Sequence, residues 1–216
     1  MSTTRETYNR IAASRYNFRQ HSRFQVELGE LARRWQKGKL LNVGCAHGPD
    51  FIPFKESFEL YGVDYSPQML DLAKKYAAKN QFSVNLVEAD ARNLPYANDF
   101  YDFAIAIAVY HHIEDKDGRM KALKELYRVL KPGGEAFITV WNRWQPRHWL
   151  QKKSFMEPWK TREKTLYRYY YLFTYRELEK LARRAGFEVI KSYPEDRYKF
   201  PFKIFSRNIC LLVKKI

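Results

Sequence analysis

Three short stretches of the chain hold residue types able to grip a nucleoside. Asn42-Val43-Gly44-Cys45-Ala46-His47-Gly48 follows the apolar run Leu40–Val43, and a glycine-bearing turn at a strand's carboxyl end lets a ligand approach bare backbone. About twenty residues on, Asp64 closes a second apolar run, Leu60–Val63, and is followed by Tyr65. A carboxylate there is placed to accept hydrogen bonds from two ribose hydroxyls. Glu88-Ala89-Asp90-Ala91 follows a third run, and Asp90 is able to accept from an adenine amino group. Either aspartate alone reads equally well as a solvated strand-end carboxylate. Recurrence at three successive strand ends points to a bound nucleoside. A nicotinamide dinucleotide is the competing ligand, but it usually wants phosphate-cradling glycines in G-x-G-x-x-G order, which this turn lacks.

Those positions meet only if strands and helices alternate between them. Glu6 to Lys37 reads as two helices, the second with Phe24, Leu28, Leu31 and Trp35 at helical spacing. Strands are predicted at Leu40–Val43, Leu60–Val63, Ser83–Val87, Phe103–Val109 and Ala136–Trp141. Phe103–Val109 is apolar on both faces and therefore central. Helices are predicted at Pro67–Lys79, with Ser66 as N-cap, and at Arg119–Leu130, stopped by Lys131-Pro132-Gly133-Gly134. After Trp141 the pattern changes. Residues 142–172 are rich in Trp, Tyr, Arg and Lys without clear periodicity and read as an insertion. A helix over Tyr175–Ala185 and strands near Glu188–Tyr193 and Ile209–Lys214 complete the chain. The expectation is one α/β domain over 1–216, a seven-stranded, mostly parallel sheet flanked by helices. It divides into N-terminal helices (1–39), a ligand-binding core (40–141), a basic aromatic lid (142–172) and a terminal helix with a strand pair (173–216).

The net charge of +15 is unevenly placed. Residues 1–39 carry nine basic and three acidic side chains, residues 40–140 carry 11 and 14, and residues 141–216 carry 19 and seven. Basic flanks around a slightly acidic core attract polyanions. A general solubility or thermal bias competes with that reading, but it should also make the middle basic. In 142–216, Arg and Lys alternate with Trp, Tyr and Phe, which suits phosphates and unstacked bases of single-stranded RNA. Alternatively, many of these rings form a lid core. The expectation combines both, with even-spaced aromatics buried and Arg147, Lys152, Lys153, Arg162, Lys164 and Arg168 facing solvent. No apolar run approaches the roughly 18–20 residues of a membrane span, and Met1–Arg10 shows no signal-peptide apolar region. Cys45 and Cys210 lie far apart, which suggests a reducing compartment and no metal site built by this chain. The expected location is cytoplasmic.

The three strand-end sites, the apolar fourth strand and the Leu130-Lys131-Pro132-Gly133-Gly134 turn together resemble class I S-adenosylmethionine-dependent methyltransferases of Rossmann-like fold. That resemblance implies S-adenosyl-L-methionine as cofactor and S-adenosyl-L-homocysteine as product. It implies binding by Asn42, Gly44, Cys45, Ala46, Gly48, Asp64, Tyr65, Asp90, Ala91, Ala106 and Ala108. It also implies an antiparallel last strand and the third strand at the sheet edge. Two positions depart from the pattern: Asn42 stands where an acidic residue is usual, and Ala46 where glycine is usual. Asn42 can accept a hydrogen bond but cannot balance the cofactor's ammonium charge.

Within this class, Ile105-Ala106-Ile107-Ala108-Val109-Tyr110-His111-His112-Ile113 resembles the tRNA methyltransferases that esterify the 5-carboxymethyl group of wobble uridine, including the AlkB-homologue-associated enzyme. Asn93-Leu94-Pro95-Tyr96, Ser14-Arg15-Tyr16, Pro158-Trp159, Arg168 to Phe173 and Ser206-Arg207-Asn208 extend the similarity over nearly the whole chain. The family's Trp-Ala-x-Glu-Gln is Trp141-Asn142-Arg143-Trp144-Gln145 here. The resemblance implies methylation of a carboxylate, which is already ionised at neutral pH and requires no general base. An arginine clamp is the natural partner for it, with Arg15 the first candidate. Tyr16, His111, Trp141 and Asn142 are expected at the acceptor mouth, with His111 packing or orienting a neighbour rather than acting as a base. The implied partners are tRNA, through flanks 1–39 and 141–216, and a small zinc-ribbon activator at edge strand 82–87. Two other readings stay open: a small-molecule methyltransferase of the same fold, and a cofactor-binding, RNA-associated protein without turnover.

Overall fold

A computed structural model of the chain describes residues 4–160 and 165–216. Two helices open it, α1 (Thr4–Phe18) and α2 (Gln25–Trp35). The alternating part then runs β1 (Gly38–Val43), β2 (Phe58–Asp64), α3 (Pro67–Lys79), β3 (Asn85–Glu88), β4 (Tyr101–Ile107), α4 (Lys116–Val129) and β5 (Leu130–Trp141). A hairpin, β6 (Ser154–Lys160) and β7 (Thr165–Tyr171), is followed by α5 (Tyr175–Arg184), β8 (Phe187–Pro194) and β9 (Asn208–Lys215).

The main sheet has the order β3-β2-β1-β4-β5-β9-β8. β1 through β5 pair in parallel, while β9 is antiparallel to both β5 and β8. From β1 the chain steps outward through β2 and β3, then returns to place β4 on the other side of β1. A crevice opens beyond the carboxyl ends of the strands where the order reverses, and ligands bind there. Both faces are covered, so the central strands are apolar at both parities. Leu41, Ala104 and Ala106 pack toward Leu123 and Leu126 of α4 and Leu178 of α5. Leu40, Ile105 and Phe137 pack toward Leu28, Leu31 and Trp35 of α2. Each fully buried leucine contributes roughly 1.5–3 kcal/mol.

Local chemistry sets the helix starts. The Ser66 hydroxyl accepts the Met69 N–H at 3.2 Å, with Pro67 at the first helical position. Such a cap is worth about 1 kcal/mol. Asp115 caps α4 through the Gly118 N–H, so this helix begins three residues before the sequence-based start at Arg119.

The largest difference from expectation is in 142–172, where an antiparallel hairpin pairs Met156 with Tyr169 and Pro158 with Tyr167. On β7 the side chains of Leu166, Arg168 and Tyr170 turn inward and Tyr167 outward. Arg168 is therefore buried, correcting the expectation that it faces solvent. Arg147, Lys152 and Lys153 are exposed as expected, and Arg162 and Lys164 lie outside the described residues. The hairpin and α1 close over the carboxyl end of the sheet, with Ile11 of α1, Met69 of α3 and Leu166 of β7 in one buried cluster. Among the described residues no helix is long and apolar enough to cross a membrane, and no cluster of three or more His, Cys, Asp or Glu could hold a metal.

Candidate active site: two adjoining cavities

Two cavities lie at the carboxyl end of the sheet and share Arg15, Gly44, Ala46, Ile107, Ala108 and His112 as a common wall. The first, about 340 Å³, is bordered by Asp64, Tyr65, Asp90, Ala91 and Val109, with Thr4, Arg5 and Tyr8 of α1 along one side. Gly44 adopts φ +68, and a Cβ there would stand 2.5 Å from Val109 Cγ2, so only glycine fits. Ala46 also lies in the left-handed region, at φ 48. An alanine held there costs on the order of 1–2 kcal/mol, which is the physical content of the departure from glycine. The Asp64 carboxylate supports this turn by accepting the Ala46 N–H at 2.8 Å and the Ser66 N–H at 2.9 Å. Burial pushes Asp64 upward, while the N–H groups and Arg15 pull the other way. Its remaining lone pairs are free for ribose hydroxyls.

Asp90 borders the same cavity but is held by Arg92, whose Nε donates to Oδ1 at 3.0 Å and whose Nη2 donates to Oδ2 at 2.6 Å. Despite the opposing effect of burial, this guanidinium holds Asp90 below the usual carboxylate range. Sequence reading missed Arg92, which only the tight turn after β3 brings back onto Asp90. Gly44, Ala46, Asp64, Tyr65, Asp90, Ala91 and Ala108 thus meet around one space. Cys45, Gly48 and Ala106 support the turn and core without bordering it, Ala106 being fully buried in the sheet. Asn42 is also fully buried, and neither its Oδ1 nor its Nδ2 has a partner. An orphaned amide beside the Gly44 turn, a bare-backbone approach and a ribose-ready carboxylate fit a polar nucleoside cofactor.

The second cavity, about 250 Å³, is bordered by Arg15, Arg19, Arg23, Arg147, Arg168 and Arg207 against only two acids, Asp50 and Glu157. Of the expected acceptor residues it holds Arg15, His111 and Trp141. Two others stand elsewhere. Tyr16 borders neither cavity and lies edge-on to Tyr76 and to His47, behind the wall of the second. Asn142 is buried and donates to the carbonyls of Ile204 and Ser206 at 2.7 and 2.8 Å, tying β5 to the segment before β9. The long-range signal that would have revealed Arg19, Arg23, Arg168 and Arg207 as neighbours is not local in sequence.

The two histidines are distinguishable by their partners. His112 Nδ1 lies 2.9 Å from the Tyr169 carbonyl, so that nitrogen carries the proton, and Nε2 accepts from the Tyr8 hydroxyl at 2.7 Å. His111 is the opposite tautomer. Its Nδ1 accepts the Trp141 N–H at 3.2 Å, which leaves Nε2 as the donor, buried and unpartnered. The ring is stacked on Tyr170 at 5.0 Å. Burial, then His112, Arg168 and Arg15, hold His111 well below the usual histidine range, and burial brings His112 down to about 3. Both rings are neutral at physiological pH. A buried N–H donor and unpaired guanidiniums next to a nucleoside site can receive and orient an anionic acceptor.

The Methyltransferase domain family matches residues 41–138, from β1 to β5. A protein of Encephalitozoon cuniculi named "Putative methyltransferase" is 30% identical over 169 residues, covering 74% of this chain and 75% of that protein. The chain belongs to the methyltransferase family. An Arabidopsis thaliana tRNA (carboxymethyluridine(34)-5-O)-methyltransferase is 40% identical over 102 residues, 47% of this chain, and the chain spans only 24% of its length. Among solved structures, an S-adenosylmethionine-dependent methyltransferase from Clostridium acetobutylicum aligns with TM-score 0.76 at 17% identity, covering 96% of this chain and 98% of that one. A Haloferax volcanii methyltransferase solved in complex with the Trm112 activator aligns with TM-score 0.71 at 15% identity, over 98% and 97% of the two chains.

Proposed function

We propose that the chain is a single catalytic domain that methylates a carboxylate on a tRNA base, of the 5-carboxymethyl-uridine type, by direct in-line transfer in the cytoplasm. The observation that carries this reading is Arg15, which borders both cavities and makes no ion pair among the described residues. Gly44, Ala46, Asp64, Tyr65, Asp90, Ala91 and Ala108 are the residues assigned to S-adenosylmethionine, with the buried Asn42 behind the Gly44 turn, and the cofactor when bound supplies an electrophilic methyl group on sulfonium. Arg15 pairs with the incoming carboxylate through two charge-assisted hydrogen bonds and turns one oxygen toward the cofactor cavity. His111 donates its Nε2–H to the same acceptor and abstracts nothing, because its other nitrogen is already occupied by Trp141. Trp141 and Tyr170, stacked at 4.1 Å, close the floor and exclude water. No proton has to leave the acceptor, so the site lacks and needs no base.

The basic flanks then serve as the tRNA-facing surface. Among the described residues β3 pairs with β2 alone, and Val87 is exposed, so this edge can accept a small zinc-ribbon activator by strand addition. The similarity to the activator-bound Haloferax protein supports that assignment.

Methyl transfer from labelled cofactor to bulk tRNA, with and without the activator, tests the function, followed by nucleoside mass analysis of tRNA from a strain lacking the protein. A carboxymethyl nucleoside that accumulates in that strain supports the reading. tRNA binding without transfer, despite added activator, points to a non-catalytic RNA-associated role. Neither binding nor transfer leaves a small-molecule carboxylate as acceptor.

A further inference from the structure

The second cavity holds more positive charge than one carboxylate can use. Arg147 is paired with Glu157 at 2.8 Å, but Arg15, Arg19, Arg23, Arg168 and Arg207 make no ion pair among the described residues. Arg168 is only 7% exposed, yet its Nε has no hydrogen-bond partner, and neither does the buried Nε of Arg15 or Arg207. The remaining acid, Asp50, is engaged by Ser22 and raised by burial. A carboxylate presents two oxygens and is filled by one forked guanidinium, or two at most. Three arginines are left over.

The surplus has a place. Arg168 lies at the inner end, close enough to His111 and His112 to depress both, its guanidinium 4.8 and 5.2 Å from the rings of Trp159 and Tyr170. Arg23 is exposed and marks the mouth, and the half-buried Arg19 and Arg207 both lie close enough to couple to it, which groups these three there. They also repel one another. Burial, then Arg15 and Arg23, lowers Arg19 to about 10, while burial, then Arg207, Arg15 and Arg197, lowers Arg23. Asp50 beside Arg19 and Glu195 beside Arg207 offset only part of this charge, and like charges in excess of their counter-charges are a cost that a bound anion relieves. The anion that matches three guanidiniums around one mouth is tetrahedral and oxygen-rich.

We infer that Arg19, Arg23 and Arg207 form a phosphate-binding site, so that the acceptor enters as a carboxylate carrying a phosphate group: carboxylate inward to Arg15 and Arg168, phosphate outward. This rests on the carboxylate reading above and narrows it to phosphorylated acceptors. The phosphate is either a diester of an RNA loop or the monoester of a small acid.

Calorimetric titration of the full chain with inorganic phosphate at constant ionic strength tests the site directly. Wild type is expected to bind phosphate in the submillimolar range, and the double variant Arg23→Gln/Arg207→Gln at least about tenfold more weakly. The charge-conserving pair Arg23→Lys/Arg207→Lys should stay within about threefold of wild type. Folding of each variant is read from its affinity for S-adenosylhomocysteine, which neither side chain borders. Displacement of phosphate by an anticodon-loop RNA identifies a diester source. Displacement only by a phosphorylated small acid identifies a monoester. The inference falls if wild type binds no phosphate, if the Gln pair binds it as well as wild type, or if neither competitor displaces it. Phosphate binding that persists while tRNA methylation fails overturns the tRNA reading alone.

Discussion

The two cavities share a wall but treat charge in opposite ways. On the cofactor side the two carboxylates that face the nucleoside positions are already engaged: Asp64 by two backbone N–H groups, Asp90 by Arg92. On the acceptor side five guanidiniums make no ion pair among the described residues, and the His111 Nε2 and the Nε of Arg15, Arg168 and Arg207 have no hydrogen-bond partner. A compensated site is rigid before its ligand arrives. An uncompensated one is completed by its ligand and carries a standing cost until then.

Substitutions on the two sides should therefore behave differently. The largest effect is expected from Arg15→Gln, which should lower kcat/KM for the carboxylate acceptor by about 100- to 1000-fold while changing cofactor affinity only a few-fold. Steady-state kinetics with calorimetry separates the two, and equal losses in both would erase the distinction between the cavities. Asp64→Ala comes next. It removes the ribose acceptor and the support of the Ala46 turn, so cofactor affinity should fall by roughly 10- to 100-fold.

The histidines allow a test by pH. Because His111, His112 and His47 are all depressed in the folded protein, the last two to about 3 and about 4, the unfolded chain binds the extra protons. Stability should be full above the unfolded histidine pKa of about 6.5 and decline as pH falls below it, toward about 4 and then about 3. Over the same measurements kcat/KM should stay flat between about pH 7 and 9, since no base titrates there. A kinetic limb near neutrality that vanishes in His111→Asn would make His111 a base after all. The smallest effect is expected from Arg168→Met. Replacing an unpaired buried charge by an apolar side chain should raise stability by about 1 kcal/mol while impairing turnover, and a loss of stability in thermal melts would mean that Arg168 is compensated in a way its contacts do not reveal.

The cofactor side was legible in the sequence because its determinants are local. Gly44, Asp64 and Ser66-Pro67 are each specified within a few residues by turn chemistry and capping, and strand alternation does the rest. The acceptor side was legible only in composition. In β7, Tyr167, Tyr169, Tyr170 and Tyr171 place aromatics at both parities, so the period of two that turns Arg168 inward is hidden. Arg19, Arg23 and Arg207 come together only after β9 has paired back along β5. Asn142 and Tyr16 sit beside true cavity residues in sequence, yet their side chains turn into the protein, a matter of one position's rotation.

Helix α1 ties the two cavities together. Thr4, Arg5 and Tyr8 from its first turns border the cofactor cavity, and Arg15 from its last turn borders both. A helix of 15 residues is a rod about 22 Å long that does not flex between its turns. A rigid-body shift of the whole helix would therefore displace Arg15 from the acceptor cavity and Thr4, Arg5 and Tyr8 from the cofactor cavity together. The two cavities share a roof as well as a wall.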